Sequence, residues 1–411
     1  MPPPPALLFL TPQLPYPPHQ GASQRNFNLL AGLAARHTID LFSLTSPGEE
    51  PDPGPLRALV RHLLLAPQPR RLPSRRLRDT LLSPLPDMAL RLWAPAAFAR
   101  LRTHILAHPP DLIQVEGIEM APYLYALRQA GVPLPPVVYD AHNAESLLQR
   151  RAFLSDLRQP RRWPAAAYSA IQTAKLGRYE RRLLQAVDGV AAVSDADAGV
   201  LARLAPGLQP VVAPNGVDLT YYDPGHPAPT PFPHPGPHLV FTGKMDFRPN
   251  IDAALWFAQR VLPALADCHP HFWIVGRDPH PRLAPLRLLP AITITGAVDD
   301  IRPYLAHADL VVAPLLAGGG TRLKLLEAMA LARPVVSTRL GAEGYPVTEG
   351  VQLALADSPA DFAAACRRLL ADPAAAAALG WRGRAFVEQN YGWEQIVPRL
   401  ERLYEIVKHE S

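Results

Sequence analysis

The chain has 411 residues, a length that predicts two globular domains. Its hydrophobic fraction of 48% and its small formal net charge of +5 at pH 7 exclude a disordered chain. Its two cysteines, Cys268 and Cys366, are too far apart for a disulfide framework or a CxxC zinc site and fit a reducing cytosol. No apolar run is long enough for a signal sequence or a membrane-spanning helix, so we expect a cytoplasmic protein.

Short apolar runs alternate with helical stretches through the first half of the chain. Helices are predicted at residues 21–36 and 165–187, among others. The predicted strands are residues 6–12, 38–44, 111–117, 136–142, 189–194 and 210–216. Because these runs are continuously apolar, they are typical of parallel strands that helices cover on both faces.

A segment dense in proline and glycine, residues 217–237, separates this half from a second alternating half and is predicted to be an interdomain linker. Further helices are predicted at 359–389 and 393–408. The second set of predicted strands is residues 238–244, 271–277, 292–298, 309–314, 334–340 and 351–357. The pattern predicts two doubly wound α/β domains, 1–216 and 238–390, with a C-terminal helix in 391–411 that packs back toward the first. The cleft between such domains is the expected ligand site.

Arginine is concentrated in two segments of the first half, residues 56–102 and 150–182, and apolar residues such as Phe153 and Trp163 lie among the arginines. This pattern is typical of a protein that binds an anionic membrane surface or an anionic acceptor. An ordinary solvated face in an arginine-rich chain explains it equally well. We expect no nucleic acid partner.

Three glycines, Gly318 to Gly320, stand between a predicted strand and a helix that begins with Thr321. The unpaired N–H groups and the positive dipole end of such a helix favour an anion, most often a phosphate. The loop fits neither the GxxxxGKS/T nor the GxGxxG phosphate-binding pattern. The alternative is a glycine turn before an ordinary helix, with Thr321 as the N-cap or a first-turn residue.

The choice of lysine is informative, because the chain has 37 arginines and only four lysines. Two of the four, Lys244 and Lys324, follow glycine-bearing turns at strand ends. Lysine is a compact point charge, whereas arginine is a rigid fork. The two lysines therefore suggest two loops that converge on a diphosphate.

Four segments in this order resemble the C-terminal donor domain of a GT-B glycosyltransferase of the retaining family 4, or group 1. They are FTGKMDFRPNIDAALWF (241–257), GAVDDIRPYLAHADLVVAP (296–314), GGGTRLKLLEAMALARPVV (318–336) and YGWEQI (391–396). PHQGASQRNFNLLAGLA (18–34) and VVAPNGVD (211–218) resemble the glycine loop and the hinge-side strand of the family's first domain. The resemblance implies an α/β, GT-B fold, in which two doubly wound, Rossmann-like domains face each other across a cleft.

The resemblance also implies roles for residues of the second domain. Glu327 would bind the ribose hydroxyls of a nucleoside diphosphate sugar. The groups that would hold the diphosphate are Lys244, Lys324, the backbone N–H groups of Gly320 and Thr321, and Arg248, which is alternatively a surface charge. The backbone at Ala297 and Val298 would meet the base.

In the first domain, the resemblance implies that the backbone of Gly21 and Ala22 approaches the diphosphate and the sugar. His142 would face the donor sugar across the cleft, although a satisfied loop histidine is the simpler interpretation. One position departs from the family. Gly319 stands where many members have a glutamate that contacts the donor sugar, which puts the identity of the sugar in doubt.

A second transferase pattern, Asp195-x-Asp197, has the spacing of the metal-binding DxD motif. It follows a predicted strand and opens a helix, so capping by Ser194 and Asp195 is the better interpretation, and we expect no metal.

The sequence thus predicts an enzyme that moves a sugar from a nucleoside diphosphate sugar to a lipid-linked or polysaccharide-precursor acceptor, at or near the inner face of the membrane. The resemblance implies retention of configuration and no further cofactor. Two alternatives remain, a sugar-nucleotide epimerase of the same architecture and a catalytically silent sugar-nucleotide-binding protein.

Overall fold

A computed structural model describes residues 4–18, 21–46, 48, 51–157, 160–226, 228–318 and 321–409. The chain divides into two compact units. The first contains residues 1–214 and 396–411, and the second contains residues 215–395. No helix in the described ranges is long and apolar enough to cross a membrane.

The first unit is built on a parallel sheet, which has seven strands within the described residues, in the order β3-β2-β1-β4-β5-β6-β7. These strands are β1 (Ala6–Thr11), β2 (Thr38–Thr45), β3 (His62–Pro67), β4 (Leu112–Glu116), β5 (Val137–Ala141), β6 (Gly189–Ala192) and β7 (Val211–Val212). The middle of β1, from Leu7 to Leu10, is at most 1% exposed, as expected for a strand covered on both faces.

Helices connect these strands and cover both faces of the sheet. They are α1 (Gly21–Leu33), α2 (Leu56–Leu59), α3 (Pro73–Leu82), α4 (Asp87–Arg91), α5 (Pro95–Ala107), α6 (Ala121–Gln129), α7 (Glu145–Leu157), α8 (Trp163–Leu184) and α9 (Asp195–Leu204). Short 3-10 turns lie at Ile118–Met120 and Pro160–Arg162.

The second unit holds a parallel sheet of six described strands in the order β10-β9-β8-β11-β12-β13. They are β8 (His238–Thr242), β9 (His271–Val275), β10 (Ile292–Gly296), β11 (Leu310–Ala313), β12 (Val335–Ser337) and β13 (Ala354–Leu355). The helices are α10 (Arg248–Trp256), α11 (Arg302–Ala306), α12 (Leu323–Ala330), α13 (Pro359–Ala371) and α14 (Pro373–Asn390), with a π turn at Phe257–Val261 and 3-10 turns at Leu262–Cys268 and Pro281–Leu288.

Both sheets contain the strands predicted from the apolar runs, but the prediction missed β3. This strand lies at the edge of its sheet and is paired only with β2 among the described strands. Its apolar run is short and lies among arginines, so the sequence pattern favours a charged surface segment instead.

The predicted helix 359–389 is two helices, α13 and α14, which separate at Asp372. A residue before proline is disfavoured in helical conformation, and Pro373 follows Asp372 directly. The Asp372 side chain instead accepts a hydrogen bond of 2.9 Å from the N–H of Ala375, which caps α14.

Residues 217–237, which we predict to be a linker, are grouped with the second unit. Tyr222 and Phe232 are 7% and 8% exposed and belong to a hydrophobic cluster there, together with Val240, Trp273 and Leu325. The prolines and glycines of this segment therefore surround aromatic side chains that contribute to a core.

The last helix, α15 (Trp393–His409), continues from the second unit into the first, to which it belongs from Ile396 onward. Val397 packs against Gly32, where an added Cβ atom would come within 2.6 Å of its side chain. Leu403 and Val407 pack against Gly189 in the same way. The small residues allow this close approach.

Candidate functional site

The turns that follow two strands of the second unit, β8 and β9, approach each other closely. Gly243 follows β8 and Gly276 follows β9, with φ angles of 153° and 154°. A Cβ atom on Gly276 would lie 1.7 Å from the carbonyl oxygen of Gly243, so this contact requires glycine. The arrangement fixes the turn that carries Lys244.

Lys324 is the second residue of α12, the helix that follows β11. Its Nζ atom donates a hydrogen bond of 3.0 Å to Oδ1 of Asn250 and lies 4.2 Å from the centre of the Phe241 ring. Burial lowers the pKa of Lys324 to about 7, although the charge of Glu327 acts in the opposite direction. An ammonium group whose charged form is disfavoured in this way is stabilised by a bound anion.

Asn250 is a site residue that the sequence did not single out. Besides accepting from Lys324, its Nδ2 donates a bond of 2.9 Å to the carbonyl oxygen of Lys244. It therefore connects the two loops that carry the predicted lysines. Its position in the first turn of α10, directly after Arg248 and Pro249, was the available signal.

Glu327 is 8% exposed and lies on the same helix as Lys324, three residues further along. Its Oε1 accepts a hydrogen bond of 3.1 Å from the hydroxyl of Tyr222. Burial and the Glu327 charge raise the pKa of Tyr222 well above its usual value, which keeps the phenol protonated as a donor. Tyr222 also escaped the sequence prediction, because it lies in the proline-rich segment.

The sequence suggests Thr321 as the N-cap or a first-turn residue of α12, but it holds neither position. The helix begins at Leu323, and Arg322 holds the N-cap position without a capping side chain. The hydroxyl oxygen of Thr321 instead accepts a bond of 2.8 Å from Asn215 of the NG turn. Gly319 and Gly320 lie outside the described residues.

The other cations of the predicted donor site are bound to carboxylates. Lys244, whose side chain is 45% exposed, contacts Asp246 at 2.9 Å, and Arg248 contacts Asp252 at 3.4 Å. Ala297 and Val298 follow β10, with Ala297 exposed and Val298 half-buried against the apolar cluster.

In the first unit, His142 follows β5 and meets Glu116 at the end of the neighbouring parallel strand, β4. Its Nε2 lies 2.9 Å from Oε2 of the fully buried Glu116. Burial acts to lower the pKa of His142, but the hydrogen bond to Glu116 and the charges of Glu116 and Asp140 outweigh it, so the pKa is raised. This carboxylate fixes the ring and leaves Nδ1 for another partner.

The predicted backbone contact at Gly21 and Ala22 belongs to the same network. Helix α1 begins at Gly21, and the side-chain amide of Asn26 donates to the carbonyl oxygen of Ala22 at 3.2 Å and to Oε2 of Glu116 at 2.8 Å. Asn26 and Glu116 therefore connect the first turn of α1 with His142. Sequence spacing could not reveal this network, because its members lie on separate elements.

Arg25 and Asp140 form a buried ion pair next to this network. Arg25 donates to both oxygens of Asp140, each at 2.9 Å, and to the carbonyl oxygen of Pro214, also at 2.9 Å. Both side chains are at most 1% exposed. A bidentate pair with this geometry holds α1 against β5.

Two further carboxyl groups lie near His142. Burial, and then the charge of Glu119, raise the pKa of Glu145 to about 7. Glu119 is ion-paired with Arg91. At neutral pH, therefore, Glu145 can hold or release a proton.

Glu116, Asp140 and His142 each place one ligand atom within 4.8 Å of the other two, the spacing of a metal-binding group. Arg25 and Asn26 already donate hydrogen bonds to its two carboxylates. These hydrogen bonds favour a hydrogen-bonding role for the three residues over a metal-binding role.

At Asp195-x-Asp197, the structure shows that Ser194 caps α9 and accepts a bond of 3.1 Å from the N–H of Asp197. The Asp197 carboxylate accepts bonds from Ser194 and from the N–H of Ala144. This carboxylate is occupied by structural contacts within the first unit.

Comparisons with known proteins agree with the resemblance. The model described as Glycosyltransferase Family 4 matches residues 19–221, and the model described as Glycosyl transferases group 1 matches residues 236–372. Phosphatidyl-myo-inositol mannosyltransferase of Mycolicibacterium smegmatis is 31% identical over 210 residues, which are 49% of this chain and 53% of that protein. The chain spans between a quarter and about half of the length of the curated relatives it matches.

Solved structures resemble nearly the whole chain. Sucrose-phosphate synthase from Thermosynechococcus elongatus has a TM-score of 0.74 at 20% identity and covers 99% of this chain and 100% of its own. HepE of Anabaena, solved in complex with UDP and glucose, has a TM-score of 0.63 at 18% identity, covering 97% and 99%. The chain belongs to the group 1 and family 4 glycosyltransferases and has their GT-B fold.

Proposed function

We propose that this protein transfers a sugar from a nucleoside diphosphate sugar to an acceptor. The observation that carries the proposal is the pair Lys324 and Glu327 on α12, a half-buried ammonium group and a buried carboxylate three residues apart. An ammonium group suits a diphosphate, and a carboxylate with two acceptor oxygens suits the two ribose hydroxyls.

The same residues account for the chemistry. Negative charge builds on the diphosphate as the glycosidic bond breaks, so contacts with Lys324 strengthen toward the transition state. Lys244, Arg248 and the backbone at Thr321 and Gly320 are proposed to assist. With these cations we propose that neither a metal nor another cofactor is needed, and family membership suggests retention of configuration.

In the first unit, we propose that His142 binds the donor sugar through Nδ1, because Glu116 already occupies Nε2. The backbone at Gly21 and Ala22 is proposed to approach the diphosphate, and that at Val298 the base. Gly319 lacks the carboxylate that many relatives use, so backbone N–H groups of the glycine run are proposed to replace it.

A screen of UDP-, GDP-, ADP- and dTDP-sugars by thermal shift tests the donor proposal. At least one of them should stabilise the protein through mass action. Glu327→Ala should weaken that binding strongly, whereas Glu405→Ala, at an exposed position on α15, should leave it unchanged. No stabilisation by any of these donors would contradict the proposal.

For the acceptor, we propose a lipid-linked or polysaccharide precursor at an anionic membrane surface. The support is the face of α3, where arginines alternate with exposed leucines. The exposed fractions on α3 are 63% for Leu77, 65% for Leu81 and 78% for Leu82, and Leu72, the N-cap residue just before the helix, is 69% exposed. Such an amphipathic, arginine-bearing helix fits the interface of an anionic bilayer.

Liposome flotation tests the membrane proposal. Binding to vesicles with anionic lipid should fall with salt and should be lost in Leu77→Ser/Leu81→Ser and weakened in Arg75→Gln. Arg71 is unsuitable for this test, because its guanidinium group is paired with Asp79 and Asp87. Equal binding of the wild type and the leucine variant would contradict the proposal.

One observation favours an epimerase as a second candidate, namely the carboxyl groups of Glu119 and Glu145 beside His142. A carboxyl group such as that of Glu145, whose pKa is raised to about 7, suits proton transfer at a sugar carbon. Incubation of the donor sugar without an acceptor separates the two activities. An epimerase would interconvert two sugar nucleotides, whereas a transferase would leave the sugar configuration of unreacted donor unchanged.

A further inference from the structure

Three histidines converge at the edge of the first sheet. His62 is the first residue of β3, His104 lies in the last turn of α5, and His108 is the C-cap of that helix, its N–H bonded to the carbonyl oxygen of His104. One ring nitrogen from each lies within 4.8 Å of the other two. The ring centres are 4.5 to 5.2 Å apart.

A buried carboxylate orients two of these rings. Asp40 of β2 lies 3.1 Å from Nδ1 of His62 and 2.8 Å from Nε2 of His104. If these nitrogens carry the protons, Nε2 of His62 and Nδ1 of His104 each keep a free lone pair. Histidines that bind metals are commonly oriented by a carboxylate in this way.

Asp40 also has a partner outside the three histidines. Arg61 donates to both Asp40 oxygens, at 2.9 and 2.8 Å, so Asp40 keeps a partner when the histidines are neutral. Neutral imidazole is the form that coordinates a metal.

We propose that His62, His104 and His108 form a binding site for a divalent transition metal of the zinc type. Three imidazole nitrogens suit Zn²⁺, and water would complete the coordination. Nitrogens bound to one tetrahedral ion at about 2.1 Å lie about 3.4 Å apart, so ring rotations that draw the three nitrogens together from within 4.8 Å would close the cluster. The ion would join the edge strand β3 to α5.

Titration of the untagged, full-length protein with Co²⁺, followed by competition with Zn²⁺, tests the site. We expect one equivalent of Co²⁺ with the visible absorption of a low-symmetry site. His62→Ala and His108→Ala should each weaken binding about tenfold or more. The matched control, His226→Ala, removes a histidine that is 90% exposed and should change nothing. Zn²⁺ should raise the Tm of the wild type and of His226→Ala, but not the Tm of His62→Ala or His108→Ala.

Three results would overturn the proposal: no binding at micromolar Co²⁺, unchanged binding in His108→Ala, or loss of the ion in His142→Ala with His108→Ala unaffected. The last would assign the ion to the group of Glu116, Asp140 and His142. His108 and His62 are exposed and half-exposed, so their variants should fold.

Discussion

Lys324 combines a half-buried charge with a hydrogen bond to Asn250 and a position over the Phe241 ring. Burial disfavours the ammonium form and lowers its pKa to about 7, so a substantial part of the unliganded protein is neutral here at neutral pH. A diphosphate bound beside it would favour the ammonium form and raise this pKa. Ligand binding and proton binding at Lys324 are therefore linked.

We predict that a nucleoside diphosphate sugar binds with uptake of up to one proton at about pH 8 and with little uptake at about pH 6, where Lys324 is already protonated. Affinity should accordingly fall as pH rises above 7. Calorimetry in buffers with different ionisation enthalpies measures the uptake directly. Lys324→Arg keeps the charge without titrating, so its uptake should vanish; an uptake equal to that of the wild type would exclude Lys324 as the titrating group.

Arg25 and Asp140 illustrate the opposite case, a buried charge that is fully paired. Removal of one partner leaves the other charge buried and uncompensated, so Arg25→Ala should lower the free energy of unfolding by about 3–5 kcal/mol. Urea denaturation measures the change. Arg25→Met combined with Asp140→Leu should recover much of the loss, and a double variant as unstable as Arg25→Ala would refute this account.

At the scale of elements, the ends of β9 and β10 depend on glycine for two separate reasons. Gly276 combines a φ angle of 154° with a backbone contact that leaves no room for a Cβ atom. Gly296, the last residue of β10, has a φ angle of 76° but nothing within 4 Å of an added Cβ. The two positions separate backbone strain from steric exclusion.

We predict that Gly296→Ala lowers stability by roughly 1 kcal/mol, the cost of a strained φ angle, and that Gly276→Ala costs clearly more. Because an alanine side chain at position 276 would displace the Gly243 carbonyl and the turn of Lys244, nucleotide affinity should fall clearly more in Gly276→Ala than in Gly296→Ala. Thermal unfolding and donor titration test both statements. Equal effects of the two substitutions would show that the close contact is unimportant.

At the scale of the whole molecule, the chain returns to its first unit at Ile396 through α15. Ile396, Leu400, Leu403 and Val407 are each at most 3% exposed. The hydroxyl of Tyr404 donates to Gln114 on β4. The first unit therefore completes its core only with the last residues of the chain.

Truncation after Gln395 should consequently destabilise the first unit, because burial of each large apolar side chain contributes about 1.5–3 kcal/mol. Limited proteolysis with mass spectrometry would show faster cleavage within residues 1–214 than within 215–395. The control, truncation after Lys408, removes only terminal residues and should behave as the full chain. Resistance of the first unit in the shorter truncation product would contradict the role of α15.

Much of the fold was predictable, because a parallel strand covered on both faces must be apolar along its whole length, and that requirement is local. The two lysines and Glu327 could be singled out from the sequence, since a glycine turn before a helix is a local pattern with a family resemblance behind it; their roles stay predictions. The edge strand β3 was not, because its short apolar run lies among arginines and its pairing with β2 is not visible in its own residues.

What only the tertiary structure decided was the partner of each charged group. Glu116 lies 26 residues from His142 along the chain, Tyr222 lies 105 residues from Glu327, and Asn250 lies 74 residues from Lys324. Such contacts depend on which strand ends become neighbours in a sheet, and no spacing rule records that. The sequence by itself determined which residue types can do the chemistry; the packing of the strands and helices determined which of them are buried, paired and oriented for it.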